Sequence, residues 1–210
     1  MNKVNKSTYT LFLFAILLII SDQVTKLLVK GFEFGGLGAT GMSLGQSISV
    51  IGDLLQITYV ENSGMALGIT FGAGKIFLSI FSIIASIGLA FYLIKLDKFS
   101  IWVRIGVMLI FAGAFGNLID RVFYGIFFSE GPLFYGRVVD FIQVDIPDIN
   151  FWNIHYTHFP VFNIADSCVS VGVVLLLIVH KKIPAFNEVF RKNIEPSEKP
   201  DLKTEIDSKV

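Results

Sequence analysis

The sequence predicts an all-α membrane protein with four transmembrane helices and a small extracytoplasmic β half-sheet. Hydrophobic residues make up 53% of the 210 residues, and the mean hydropathy of +0.69 is typical of membrane proteins. Long apolar stretches recur along the chain, and the segments between them include runs with the two-residue period of strands. These observations together indicate a helical bundle that carries a small sheet outside the lipid.

Four apolar stretches predict spans at about 9–29, 76–94, 101–119 and 161–180. The second contains about nineteen apolar residues, which is enough to cross a hydrocarbon core of roughly 30 Å at about 1.5 Å per residue. In the third, the segment 112–116 is rich in Gly and Ala, which lets membrane helices approach closely. A cleaved signal peptide is an alternative for the first stretch, because Lys3 and Lys6 precede it, but no small-residue cleavage site follows.

Two long loops, 30–75 and 120–160, connect the spans, and the sequence predicts one four-helix transmembrane domain of residues 1–182. In the first loop Leu55, Ile57 and Tyr59 alternate with polar residues, which predicts a half-buried strand. The run 137–144 in the second loop is also strand-like. Beyond Lys182, residues 183–210 mix charges of both signs with few apolar residues, which predicts a disordered tail.

The basic residues predict the orientation of the chain. Most of them fall on the side of the termini and of the short turn between the second and third spans: Lys3, Lys6, Lys95, Lys98, Arg104, Lys181, Lys182, Arg191 and Lys192. By the positive-inside rule both termini are cytoplasmic, and the two long loops face outward. The polar residues of the spans then converge on the outer membrane face.

Several functional classes are not favoured by the sequence. The 17 basic and 17 acidic residues cancel, which argues against binding of nucleic acid. Cys168 is the single cysteine, so neither a disulfide framework nor a multi-cysteine metal site is available. His155 and His158 lack the Glu and the further His of a metalloprotease site, so we expect no metal and no cofactor.

Two carboxylates are the candidates for catalysis. Asp166 lies at the start of the fourth span, where a charged side chain at membrane depth costs about 2.5–3.5 kcal/mol and marks a functional site by default. Asp140 lies in a run, 138–142, that otherwise resembles a buried strand. Two carboxylates about 3 Å apart cannot both ionise, so one retains a proton near neutrality. Such a pair deprotonates a water with one member and protonates a leaving amine with the other, which is the chemistry of an aspartic protease.

Other polar residues of the outer face are available to support this pair. Asn62, Asn163 and Arg121 are candidate donors for an oxyanion. Asn117, Asp120 and Arg121 share one helical face at spacings of three and four residues, as do Asp22 and Lys26, which can neutralise each other.

Structural roles are open for the same residues. Asn163 is also suited to cap the fourth helix, with Asp166 at the positive end of the helix dipole. Asp140 alone fits a surface strand, Asp22 and Lys26 fit a structural pair, and Asp120 with Arg121 fits a clasp between helices. A transporter that relays protons between carboxylates, and a noncatalytic membrane scaffold, are the alternative functions.

Five blocks along the chain carry a family resemblance. They are Ser21-Asp22-Gln23-Val24-Thr25-Lys26, Asn62-Ser63-Gly64-Met65-Ala66, Gly116-Asn117-Leu118-Ile119-Asp120-Arg121, Val138-Val139-Asp140-Phe141 and Phe162-Asn163-Ile164-Ala165-Asp166-Ser167. In this order, and with four spans between them, the blocks resemble those of the bacterial lipoprotein signal peptidases (signal peptidase II). The resemblance covers about residues 9–182.

The resemblance implies an aspartic endopeptidase of the bacterial inner membrane. Such an enzyme removes the signal peptide of prolipoproteins by cutting before a diacylglyceryl-modified cysteine, and globomycin-type cyclic peptides inhibit it. It implies that Asp140 and Asp166 are the catalytic dyad at the outer face. The implied supporting residues are Asp22, Lys26, Asn62, Gly64, Asn117, Asp120, Arg121 and Asn163, and the implied partners are prolipoproteins and membrane lipids. Segments 127–132 and 145–158 are longer than the family pattern and predict an enlarged outer rim.

Overall fold

The predicted fold class is confirmed by the computed structural model, which describes residues 5–64, 72–151 and 154–190. A bundle of long helices is covered at one end by a four-stranded antiparallel sheet. Two apolar cores stabilise this arrangement, one inside the bundle and one between the bundle and the sheet.

The first helix, α1, spans Lys6–Lys30 and is about 37 Å long at about 1.5 Å per residue. Its buried residues are Thr8, Leu11, Ala15, Asp22, Lys26 and Val29, which recur at intervals of three, four or seven residues and therefore lie on one face. This face packs against α3 (Ile101–Ile119), and most of the exposed side chains of α1 are apolar groups suited to lipid. The buried face therefore carries a charged pair into the bundle.

Helix α2 spans Gly72–Lys95, and α3 is the central helix of the bundle. An added Cβ at Gly113 of α3 would lie 2.2 Å from the backbone oxygen of Ala165, so only glycine permits this approach. Ala165 belongs to α5, which spans Ile164–Ile178. The prediction that small residues of the third span allow close packing is confirmed.

Helix α3 does not end in a regular helix cap. Residues Asp120–Tyr124 form a π-helical turn, which leads into the short helix α4 at Gly125–Phe127. Wider turns of this kind often occur at functional sites, because they redirect side chains within an otherwise regular helix.

Helix α5 begins later than the predicted boundary at 161. Phe162 instead pairs with Ile142: its N–H donates to the Ile142 oxygen at 3.0 Å, and its oxygen accepts from the Ile142 N–H at 2.7 Å. These bonds draw the chain to a strand before the helix starts at Ile164. The same bonds tether the first turn of α5 to the sheet.

Within the tail that the sequence predicts to be disordered, Phe186–Phe190 form a short helix, α6. Phe186, Val189 and Phe190 lie at spacings of three and four residues, so they give α6 an apolar face. Val189 is buried in the bundle core, and the Phe190 ring stacks on Phe91 with centroids 6.1 Å apart. The remainder of the predicted tail, 191–210, lies outside the described residues.

The sheet outside the bundle contains strands β3 (Ser47–Ile51), β4 (Leu55–Asn62), β5 (Val138–Phe151) and β6 (Ile154–His158), in that order. All neighbours are antiparallel. A separate hairpin pairs β1 (Phe32–Phe34) with β2 (Leu37–Ala39), and Gly35 and Gly36 supply the positive φ angles of its turn. Within the segment 145–158, β5 pairs with β6 from Asp145 with His158 to Phe151 with Ile154.

Among the described residues, three helical segments are long and apolar enough to cross a membrane: Lys6–Lys30, Ile76–Lys98 and Ile101–Phe127. Helix α5 has 15 residues, about 22 Å, which falls short of a hydrocarbon core of about 30 Å. Together with the following segment His180–Phe190 it meets the same criterion, with a bend of 76° between the two. Four spans are obtained if this bent pair is one span.

Candidate active site

The structure brings Asp140 of β5 and Asp166 of α5 to the same site. The paired backbones of Phe162 and Ile142 hold the first turn of α5 beside the middle of β5. Asp140 is 3% exposed, whereas Asp166 is partly exposed. The two carboxylates are close enough to interact electrostatically. Residues 26 positions apart in the sequence therefore meet as a carboxylate pair with one solvent-accessible member.

Asn163 both caps α5 and contacts the carboxylate pair. Its side-chain oxygen accepts from the Asp166 N–H at 2.9 Å, and its backbone N–H donates to Asp166 Oδ2 at 3.3 Å, which completes a capping box. Its Nδ2 donates to Asp140 Oδ1 at 2.7 Å. The structural and the functional interpretations of Asn163 are thus compatible.

Asn117 of α3 connects the pair to a buried cation. Its Nδ2 donates to Asp166 Oδ1 at 2.8 Å, while its Oδ1 accepts from Lys26 Nζ at 2.9 Å and from Asn163 Nδ2 at 3.2 Å. The ammonium and the carboxylate fix the orientation of this amide, because each attracts the opposite end of its dipole.

Lys26 lies at the centre of a buried charge cluster formed by Asp22, Lys26 and Asp120. Lys26 Nζ is 2.8 Å from Asp22 Oδ2 and 2.7 Å from Asp120 Oδ2, and all three residues are at most 1% exposed. The pairing of Asp22 with Lys26 that their spacing predicts is confirmed. A cluster of this kind is tolerated only because each charge is paired and hydrogen-bonded.

The two carboxylates of the charge cluster hold the backbone on both sides of the candidate dyad. Asp22 Oδ1 accepts from the N–H of Ala165, the residue before Asp166, at 2.9 Å. Asp120 Oδ2 accepts from the N–H of Val139, the residue before Asp140, at 3.3 Å. Because Lys26 bridges the two cluster carboxylates, one ammonium fixes the relative position of the segments that carry the dyad.

Asn62 and Arg121 approach the carboxylates from the side of the sheet. The Asn62 side chain hydrogen-bonds to Asp140, and its Oδ1 accepts from the Gly64 N–H at 2.9 Å. Gly64 has a φ of +83°, a conformation that favours glycine. Arg121 lies close enough to Asp120, Asp140 and Asp166 to interact electrostatically. A narrow crevice beside the dyad is lined by Asn62, Ser63, Leu78, Arg121 and Gly136.

Burial, together with the nearby charge of Asp166, raises the pKa of Asp140 to about 7. Hydrogen bonds from Asn62 and Asn163 act in the opposite direction but do not outweigh burial. Asp140 is therefore protonated below about pH 7 and loses its proton above it. Asp166 accepts hydrogen bonds from the side chain of Asn117 and the backbone of Asn163, which hold its carboxyl group in place.

One predicted role does not fit this geometry. Asn163 was expected to be available as an oxyanion donor, but its Nδ2 already donates to Asp140, to Asn117 Oδ1 and to the Val139 oxygen at 3.3 Å. An amide nitrogen has only two hydrogens, so none is left for a substrate. Asn163 positions the dyad instead.

Gln23 and Tyr124 were not predicted as site residues but belong to the same network. Gln23 Nε2 donates to Asp120 Oδ1 at 2.9 Å, to the Gly116 oxygen at 3.1 Å and to Asp22 Oδ2 at 3.2 Å. The Tyr124 hydroxyl donates to Gln23 Oε1 at 3.1 Å. The position of Gln23 beside Asp22 in an apolar span was the available signal, whereas the contact with Tyr124, 101 residues away, had none.

Comparisons with known proteins identify the family. Residues 14–181 match the family model described as signal peptidase (SPase) II. Proteins named lipoprotein signal peptidase from Porphyromonas gingivalis and Staphylococcus aureus are similar to the chain. The first is 37% identical over 194 residues, covering 80% of each chain. The second is 38% identical over 169 residues, covering 80% of this chain and 86% of the relative.

Two solved structures are also similar, and each is described as a bacterial membrane enzyme determined by the in meso method. One is 34% identical with a TM-score of 0.61, covering 90% of this chain and 94% of the other. The second is 36% identical with a TM-score of 0.62, covering 83% and 94%. The chain therefore belongs to the signal peptidase II family, and it is a membrane protease of the aspartic type that removes signal peptides from lipoproteins.

Proposed function

We propose that Asp140 and Asp166 are the catalytic dyad with which this protease cuts prolipoproteins before a diacylglyceryl-modified cysteine. The observation that carries the proposal is the convergence of two carboxylates, one buried and one partly exposed, on a network that fixes both backbones. Every other carboxylate of this network, Asp22 and Asp120, is paired with Lys26. Only the proposed dyad is left to act on a substrate.

In the proposed reaction, ionised Asp166 takes a proton from a water molecule held between the two carboxylates. The water oxygen forms a bond to the scissile carbonyl carbon, and protonated Asp140 gives its proton to the leaving amine nitrogen as the C–N bond breaks. Proton transfer of this kind contributes about 10²- to 10⁴-fold, so positioning and stabilisation of the oxyanion must supply much of the rest. Arg121, at the crevice, is the proposed donor to the oxyanion.

The remaining site residues have positioning roles in this proposal. Asp22, Lys26 and Asp120 hold the backbones before the two catalytic residues, and Asn117 and Asn163 orient the carboxylates. Asn62 orients Asp140, and Gly64 allows the turn that follows Asn62. The proposed peptidase domain is residues 1–182, with α6 added to its inner end.

The proposed location is the bacterial inner membrane, with both termini in the cytoplasm and the dyad at the outer face. The distribution of basic residues supports this orientation. A substrate anchored by its acyl chains would reach an outer dyad by diffusion in the membrane plane, with the chains remaining among lipids between the helices. Globomycin-type peptides are expected to compete for the same crevice.

The orientation is tested by cysteine labelling in intact cells, with Cys168, which is buried, left in place. A Glu33→Cys variant, on the exposed hairpin, should react with a membrane-impermeant maleimide from outside. A Lys98→Cys variant should react only after the cells are opened. The opposite pattern would contradict the proposed orientation.

The substrate class is tested with two prolipoprotein peptides that differ only in the diacylglyceryl group on the cysteine. The purified protein should cut the modified peptide immediately before the cysteine, as identified by mass spectrometry, and should leave the unmodified peptide intact. Globomycin should inhibit the reaction. Equal cleavage of both peptides would contradict the proposed substrate class.

A further inference from the structure

A second group of charged residues lies outside the dyad, at the end of β4. Glu61 forms an ion pair with Lys30, and its Oε2 is 2.9 Å from Arg137 Nη1. The Tyr59 hydroxyl donates to Glu61 Oε1 at 2.6 Å. The Glu61 side chain is 7% exposed although it lies in the outer sheet. We call Glu61, Lys30 and Arg137 the Glu61 cluster.

The pairing of the strands places the Glu61 cluster directly behind the site. In the register of β4 with β5, Val60 pairs with Asp140, Glu61 with Val139 and Asn62 with Val138. Paired residues share a face of the sheet and successive residues alternate, so Asn62 and Asp140 lie on one face and Glu61 on the other. Glu61, the residue before Asn62, is therefore held by contacts on the opposite face of the sheet.

The Glu61 cluster connects this strand to rigid parts of the bundle. Lys30 is the last residue of α1, and its ammonium also pairs with Glu130 and lies 4.6 Å from the centroid of the Phe128 ring. Phe128 and Glu130 belong to the extended segment 127–132. This segment, which the sequence predicts to be longer than the family pattern, therefore holds the ammonium of Lys30 in place.

The charge on Glu61 is stable in this environment. Burial alone would raise the pKa of Glu61, but hydrogen bonds from Lys30, Tyr59 and Arg137 outweigh burial and hold the pKa below its usual value. The same hydrogen bond raises the pKa of Arg137. Glu61 and Arg137 therefore remain charged throughout the neutral range.

We propose that Glu61 is a positioning residue of the peptidase reaction. Its contacts with Lys30 and Arg137 on one face of the sheet keep the Asn62 side chain on Asp140 at the other face. This inference rests on the proposed dyad and adds to it a residue that touches neither the substrate nor the reacting atoms. According to this proposal, the end of α1 and the segment 127–132 contribute to catalysis through their contacts with Glu61.

The test is a double-mutant cycle of Glu61→Gln and Asn62→Ala, measured as cleavage of the diacylglyceryl-modified peptide. If Glu61 acts through Asn62, Glu61→Gln should lower kcat by about 10- to 100-fold in the wild-type background, as expected for a displaced catalytic contact. In the Asn62→Ala background the same change should lower kcat by less than about 2-fold, because the contact it supports is already absent.

A second readout is the pH dependence of kcat. The Asn62 hydrogen bond lowers the pKa of Asp140, so displacement of Asn62 should raise this pKa and move the alkaline limb of the profile to higher pH. Glu33→Gln is the matched control, because Glu33 is an exposed carboxylate on β1. Its rate and pH profile should equal those of the wild type.

Arg137→Gln covers the case in which Glu61→Gln does not fold, since the Arg137 side chain is 45% exposed. It should lower kcat in the same direction by about 3-fold, and this loss too should vanish in the Asn62→Ala background. Equal losses in both backgrounds, or an unchanged rate in folded Glu61→Gln, would overturn the inference. An active Asp140→Asn variant would instead overturn the proposed dyad, so the two failures are distinguishable.

Discussion

Both ends of the helical bundle contain buried ionic groups. We call the end covered by the sheet the outer end and the opposite end the inner end, and among the described residues only the outer end has the composition of a reactive site. At the inner end Arg104, 4% exposed, donates to Thr8 Oγ1 at 2.6 Å and lies 3.4 Å from Asp97 Oδ1. Thr8 also donates to Asp97, so this inner cluster joins α1, α3 and the turn between α2 and α3. The inner cluster contains one cation and one carboxylate, so its charges balance.

At the outer end the carboxylates outnumber the cations. Asp22, Asp120, Asp140 and Asp166 are accompanied by Lys26 and Arg121. Among the described residues, Asp140 and Asp166 form no direct ion pair. A buried ion pair alone is therefore a poor marker of function in this bundle. Carboxylates that exceed the nearby cations and are hydrogen-bonded by amide groups are a better marker of a functional site.

The largest effect on the outer cluster is expected for Lys26→Met. This change leaves Asp22 and Asp120 buried without their cation, which costs about 3–5 kcal/mol of folding stability. It also releases the backbones before both catalytic residues, so cleavage should be lost. Thermal unfolding in detergent and the peptide assay measure the two effects. A stable, active Lys26→Met protein would contradict the role of the charge cluster.

Asn117→Ala removes the amide between Lys26 and Asp166. A hydrogen bond to a charged group contributes about 1.5–3 kcal/mol, so we expect kcat to fall by about 10- to 100-fold. The protein should remain folded, because the other contacts of the charge cluster persist. An unchanged kcat in steady-state assays would show that Asn117 is only a structural contact.

The pH profile should distinguish the outer carboxylates from an ordinary ion pair. The raised pKa of Asp140, about 7, means that its proton is present below this pH and is lost above it. The proposed reaction needs that proton, so kcat should fall about tenfold per pH unit on the alkaline side. A profile that stays flat from pH 7 to 9 would contradict the acid role of Asp140.

The smallest effect is expected for Asp97→Asn at the inner end. Loss of this partly exposed charge should lower the unfolding free energy by about 0.5–1.5 kcal/mol. The cleavage rate of the folded fraction should equal that of the wild type, because the inner cluster makes no contact with the dyad. A drop in kcat without a drop in stability would contradict the proposed difference in function between the two ends.

The features that could be predicted from the sequence depend on short spacings. The pairing of Asp22 with Lys26, the close approach at Gly113 and the cap at Asn163 each follow from residues three or four positions apart or from a local composition. The strand at Leu55–Asn62 follows from its alternation.

The features that were missed depend on the packing of distant elements. The pair of Lys26 with Asp120 and the contact of Glu61 with Lys30 join different elements, and no local pattern specifies them. Helix α6 was missed because its apolar face has only three residues within a charged tail. The average composition of such a segment is polar. It therefore does not reveal a short apolar face that becomes ordered when it packs against the bundle.

The central claim is that Asp140 and Asp166 form the catalytic dyad, and it is tested most directly by Asp140→Asn and Asp166→Asn. Cleavage of the diacylglyceryl-modified peptide should be measured with both variants and with Asp97→Asn as the matched control. Each dyad variant should be folded and should lose at least about 10³-fold in kcat, while the control keeps the wild-type rate. Near-normal cleavage by either folded dyad variant would contradict the account.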